Sequence, residues 1–256
     1  MGNPPFFESH LNLSRTRLLK ATVKLPKETE APGASDRSHG RWYDDACGTA
    51  FGLEVLGERW AMLVVRELLL GPRRFSDLRE ALPGISAKIL TQRLEALVQW
   101  GVVAREQTPP PAAANLYGLT EWGYLAEPVI MELGRWAARS CRHDPTLPLS
   151  AASLMTSMKT MQLPALARAP DMCVGMRVGD ESFRVTIADG VFSAGRGDGE
   201  GCQVRLSAPD ARPIAGALYG GIPVEMLERE AGLEVVGDRA LLRRFLALFG
   251  LPPKVD

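Results

Sequence analysis

The chain has 256 residues, 46% of them hydrophobic, enough to bury a substantial core and long enough to divide into two domains. Lysine plus arginine total 30 and aspartate plus glutamate total 30, so overall charge argues neither for nor against a polyanionic partner. No apolar run is long enough to cross a bilayer, and the beginning of the chain has no signal-peptide core; a cytoplasmic setting without membrane contact is expected.

Residues 1–40 are rich in Pro, Ser, Thr and Lys without sustained periodicity and read as a disordered extension. A helical series follows. Ala50, Leu53, Val55 and Leu56 predict one apolar helix, and Trp60, Leu63, Val64, Leu68 and Leu69 a second that ends at Gly71-Pro72. Ser76 is a suitable N-cap for a third helix to Leu82, with Asp77 near its positive start. Pro83 stops that helix, Gly84 permits a turn, and Ser86 caps a fourth helix running to about Trp100. Val102–Arg105 and Leu116–Leu119 then read as two strands around a tip, Thr108–Ala112, whose three prolines cannot sit in a paired ladder. Thr120 caps a last helix to about Arg139, kinked by Pro128.

Charge is uneven along this region. Between Arg59 and Arg93 the seven cations Arg59, Arg66, Arg73, Arg74, Arg79, Lys88 and Arg93 outnumber the three anions Glu67, Asp77 and Glu80. On the helix after Ser86, a rotation of about 100° per residue puts Leu90, Leu94, Leu97 and Val98 on one face. Ser86, Lys88, Thr91 and Gln92 fall on the outward side of its first two turns. Lysine suits phosphate or guanine, Gln pairs bidentately with adenine, and Thr offers a hydroxyl and a methyl for thymine. A helix entering a major groove by its N-terminus needs such a face; Arg73, Arg74 and the wing's Arg105 are candidate phosphate contacts, and Arg93 is a further DNA-binding candidate.

The stretches Leu56-Gly57-Glu58-Arg59-Trp60, Arg66–Phe75, Pro83–Ser86, Leu90-Thr91-Gln92-Arg93-Leu94 and Tyr117–Gly123 occur in close order. From about Trp42 to Arg139 the chain thus resembles an HxlR-type winged helix-turn-helix transcriptional regulator. The resemblance implies a dimer that binds double-stranded DNA through the helix starting at Ser86. A stripe of Trp122, Leu125, Val129, Leu133 and Trp136 at spacings of three and four exceeds what a small helical core needs and suits a homodimer interface. The resemblance further implies a redox or electrophile sensor at Cys47, at the start of the first family helix; adjacent Asp44 and Asp45 disfavour its thiolate.

His143 to Ser150 reads as a linker, giving domains at 41–142 and 151–256. The second half predicts a small antiparallel sheet covered by helices: Ser182–Ala188 alternates, Asp189-Gly190 turns into Val191-Phe192-Ser193, Cys202–Leu206 follows, and helices fall near Ile214–Leu218, Val224–Glu230 and Leu241–Phe249. The whole chain is therefore α+β, a mainly helical domain followed by a smaller α+β one. The second half resembles, more weakly, a sterol-carrier-protein-like fold, which implies an apolar cavity for a small hydrophobic effector lined by Phe183, Val185, Ile187, Leu218, Leu241, Phe245 and Leu248. The competing reading is a lipid or hydrophobic-ligand binding protein whose helical domain is a protein-docking module.

Other patterns point nowhere. Gly195–Gly201 lacks the following helix that a nucleotide loop needs and reads as a hairpin turn. Cys47, Cys141, Cys173 and Cys202 are far apart and form no CxxC pair, so reduced thiols are expected. His10, His39 and His143 are scattered, no metal or other cofactor is predicted, and no nucleophile–base–carboxylate constellation suggests an enzyme.

Overall fold

The computed structural model describes residues 43–107 and 115–255. The expected extension at 1–40, with His10 and His39, and the tip Thr108–Ala112 lie outside these residues. Ala46–Asp256 is one compact unit.

Its first half runs α1 (Gly48–Leu56), α2 (Ala61–Leu68), β1 (Arg73–Arg74), α3 (Phe75–Ala81), α4 (Ala87–Gln99), β2 (Val103–Gln107), β3 (Asn115–Leu119), α5 (Glu121–Tyr124) and α6 (Glu127–Ala138). Leu68, Leu78, Leu90, Leu94 and Leu97 lie in one apolar cluster with Val64, Val65 and Val103. Burying each such side chain stabilises by about 1.5–3 kcal/mol, which is what holds four short helices together. Two local details differ from expectation. Helix α3 begins two residues earlier, with the backbone N–H of Arg74 donating to Asp77 Oδ2 at 3.4 Å and Ser76 inside the helix. The last helix is two, broken at Leu125-Ala126, and Pro128 sits in the first turn of α6, where its missing N–H costs no intrahelical bond.

The second half runs α7 (Ala151–Thr160), a 3-10 turn (Pro164–Arg168), β4 (Met172–Val178), β5 (Glu181–Ala188), β6 (Val191–Arg196), β7 (Val204–Ala208), α8 (Ala211–Tyr219), α9 (Val224–Glu230), β8 (Glu234–Gly237) and α10 (Arg239–Leu246). The five strands lie in the order β6-β5-β4-β7-β8. This sheet is mixed rather than antiparallel, because β4 and β7 pair in parallel with Val174 opposite Val204. Strand β4, like α7 and β8, is not among the expected elements; its buried Met172, Val174, Met176 and Val178 alternate with the other face.

Because β6 and β7 are separated by two strands, the glycine-rich segment between them is a crossover and not the hairpin turn expected. It passes over β4 at a point where both chains need glycine: a Cβ on Gly175 would lie 2.5 Å from Gly199 Cα. The crossover and the parallel register also bring Cys173 and Cys202 together, with Cα atoms 4.8 Å apart and their sulfurs bonded. This corrects the expectation of four thiols; a spacing of 29 residues hides a pair that only the sheet makes neighbours.

Helix α7 joins the halves. Nearly all its residues are buried, because it lies between α2 and α6 on one side and the sheet on the other. Its cap Ser150 ends the expected linker: the hydroxyl accepts from Ser153 N at 3.0 Å and donates to Glu67 Oε1 at 2.7 Å.

Candidate nucleic-acid interface

The turn between α3 and α4 is built by Gly84, whose φ of 92° is the left-handed conformation that a Cβ disfavours. Ile85 closes it by donating its N–H to Leu82 O at 3.1 Å and burying its side chain. Ser86 then caps α4, accepting from Ile89 N at 3.2 Å. With the helix so anchored, Leu90, Leu94 and Leu97 are buried while Ser86, Lys88, Thr91 and Gln92 are exposed. The outward face expected from the periodicity is thus open to solvent, hydrogen-bonding and without a carboxylate in its first two turns.

Flanking cations divide into two groups. Arg74 and Arg105 are exposed, the latter on β2 with its guanidinium 5.5 Å from the centre of the Tyr117 ring on the paired strand. Arg73 and Arg93 are turned inward, each for a geometric reason. Residue 93 lies three positions after Leu90 and four before Leu97, on the flank of the buried stripe, so its side chain meets the protein and pairs with Glu58 at 3.1 Å. Neighbours on a strand point to opposite faces, so exposing Arg74 buries Arg73. Its guanidinium contacts Glu67 at 3.3 Å and Glu181 at 3.1 Å.

Glu67 is the residue that sequence reasoning missed. It is fully buried, receiving Arg66 at 2.8 Å and Arg73 together with the Ser150 hydroxyl. Its position among Val64, Val65 and Leu68 on the apolar side of α2 was the available signal, since a carboxylate there requires partners.

Trp122, Leu125, Val129, Leu133 and Trp136 are all exposed, with Leu125 at 70% and Trp136 at 73%. The opposite side of α6 is already covered by α7, through Lys159–Glu127 at 2.8 Å and Arg135 donating to Thr160 O at 2.7 Å. Cys47 stands at the N-cap position of α1 and is exposed; hydrogen bonding from the Thr49 backbone lowers its thiol below the ordinary value. Of the residues expected around an apolar cavity, Phe183, Val185, Ile187, Leu218, Phe245 and Leu248 are buried in one cluster, and Leu241 packs against it. Among the described residues no helix is long and apolar enough to cross a membrane.

Two helices joined by the Gly84 turn, followed by a hairpin that a third short strand completes, define a winged helix-turn-helix protein. Residues 55–145 match the family described as HxlR-like helix-turn-helix. The chain is 38% identical over 85 residues to the HTH-type transcriptional regulator YvaP of Bacillus subtilis, covering 33% of this chain and 79% of that protein. It is 37% identical over 99 residues to the HTH-type transcriptional regulator YodB of the same organism, covering 39% of this chain and 87% of that one. Among solved structures, the reduced form of B. subtilis YodB covers 39% of this chain and 100% of its own, with 34% identity and a TM-score of 0.36. The chain belongs to the HxlR-like family, which consists of DNA-binding transcriptional regulators and not of enzymes. Family membership replaces the protein-docking alternative for the helical half.

Proposed function

We propose that this regulator binds a palindromic operator as a homodimer, with α4 of each copy entering the major groove N-terminus first. The carrying observation is the two-sided character of α4: Leu90, Leu94 and Leu97 fix it to the core while Ser86, Lys88, Thr91 and Gln92 stand in solvent. In this reading Lys88, Thr91 and Gln92 meet base edges, and Arg74 and Arg105 hold phosphates beside the groove. The exposed stripe from Trp122 to Trp136 is the self-complementary surface, and it sets the two reading helices roughly 34 Å apart, one turn of DNA.

Equilibrium binding to a duplex selected from random sequence by the protein itself tests this. Affinity falls steeply as salt rises, and Gln92→Ala costs about 1–3 kcal/mol on the selected duplex but little on an unrelated one. Equal losses on both duplexes would remove Gln92 from the reading face. Sedimentation of the full chain at micromolar concentration gives a dimer that Trp136→Asp disperses; a wild-type monomer would defeat the two-fold arrangement.

A further inference from the structure

The segment Leu70-Gly71-Pro72-Arg73 leads from α2 to the wing, and the C-terminal half grips it at both ends. Leu70 packs against the apolar cluster of the C-terminal sheet. Arg73 reaches Glu181, the first residue of β5, at 3.1 Å. Between these anchors the segment presses on the wing. Arg73 and Arg74 pair with Tyr117 and Leu116 of β3, and a Cβ on Gly118 would lie 3.2 Å from Pro72 Cγ. Glu181 is itself fixed from the other side by Arg196, whose guanidinium lies 5.2 Å from the centre of the Phe183 ring.

We infer that Glu181 is a positioning residue for DNA binding: by holding Arg73 it fixes β1, and through β1 the wing strand β3 and its partner β2 with Arg105. The C-terminal sheet then acts as the backing that sets where the wing meets the duplex. This inference rests on the DNA-binding mode proposed above. The opposite idea, that Glu181 keeps Arg73 away from phosphate, is disfavoured because fully buried Glu67 retains Arg73 whether or not Glu181 is charged.

The test is a double-mutant cycle in the full chain with Glu181→Gln and Arg105→Ala, read on the duplex selected by wild-type protein. Removing a carboxylate by itself favours a polyanion. Positioning predicts the reverse: Glu181→Gln weakens binding about tenfold and lowers the salt slope by about one, as Arg105→Ala does. The double variant is then no weaker than the worse single one. Hydrogen exchange at the β1–β3 amides also accelerates in Glu181→Gln and stays unchanged in Gln92→Ala. Losses that multiply, unchanged exchange in the wing, or tighter binding with a steeper salt slope would each overturn the inference. Should Glu181→Gln fail to fold by circular dichroism, Glu181→Asp, which shortens the reach and keeps the charge, enters the same cycle with the same outcomes. Failure of the wild-type arm to bind any selected duplex would defeat the DNA-binding mode, and this inference with it, and is visible separately from the variants.

Discussion

The carboxylate of Glu67 has no solvent exposure. In the interior it is bonded by Arg66, Arg73 and Ser150, which come from α2, β1 and the cap of α7. Removing one partner from a buried ion pair generally costs about 3–5 kcal/mol, and two partners remain here. Arg73→Ala is therefore expected to lower stability by about 3 kcal/mol, measured as a shift in the urea midpoint. That outcome separates it from Arg74→Ala, which removes an exposed cation and leaves the midpoint in place. Equal midpoints for both variants would contradict the buried role of Arg73. The adjacent arginines look alike in the sequence; strand alternation says that they differ, but not which one turns inward. Tyr219 carries a second test. Burial pushes its phenol up to about 12 from the model-compound value of 10.0, while its hydroxyl shares a hydrogen bond with Ser157 at 2.9 Å. A folded-state value above the unfolded one means its contribution is full below pH 10 and disappears as pH rises toward 12. In Tyr219→Phe that part of the alkaline loss of stability is absent; an unaltered alkaline profile would speak against it.

At the scale of elements, α4 was readable because its period, cap and turn agree: Leu90, Leu94 and Leu97 inward, Ser86 at the start, Gly84 in the left-handed turn. The crossover between β6 and β7 was not readable, because glycine and polar residues serve a hairpin and a crossover equally well. Which one forms depends on β4 lying between β5 and β7, a long-range choice. Its consequence is the Cys173–Cys202 bond, with Arg184 also donating to Glu200 O at 2.8 Å to hold the crossing chain. A cross-link of 29 residues restricts the unfolded chain by about 3–4 kcal/mol. Wild-type protein is expected to lose that much stability on treatment with a dithiol, and the Cys173→Ser, Cys202→Ser double variant to start from the lower value and not respond. An equal response in the variant would assign the effect to another cysteine.

For the whole molecule, the division at 143–150 that the sequence suggests is bridged by structure. Helix α7 is buried by both halves, and Ser150, Lys159 and Glu181 each bond to residues of the first half. A chain ending after His143 loses the cover over Leu70 and the hydroxyl on Glu67. Its urea midpoint is expected to fall below that of the full chain, and its wing amides to exchange faster. A truncated chain with the full chain's midpoint would mean that the halves are energetically independent.

Sequence alone determined the local grammar of the first half: helix periods, the caps Ser86 and Thr120, the Gly84 turn and the ordered stretches that carry the family resemblance. These are decided within a few residues, by backbone hydrogen bonds and the spacing of apolar side chains, so they are written locally. Only tertiary structure decided that Arg73 faces Glu67 and Glu181, that Cys173 meets Cys202, and that α7 is buried along nearly its whole length. Each of those depends on which distant segments pack together, and burial assigns partners to charges and thiols only after that packing is made.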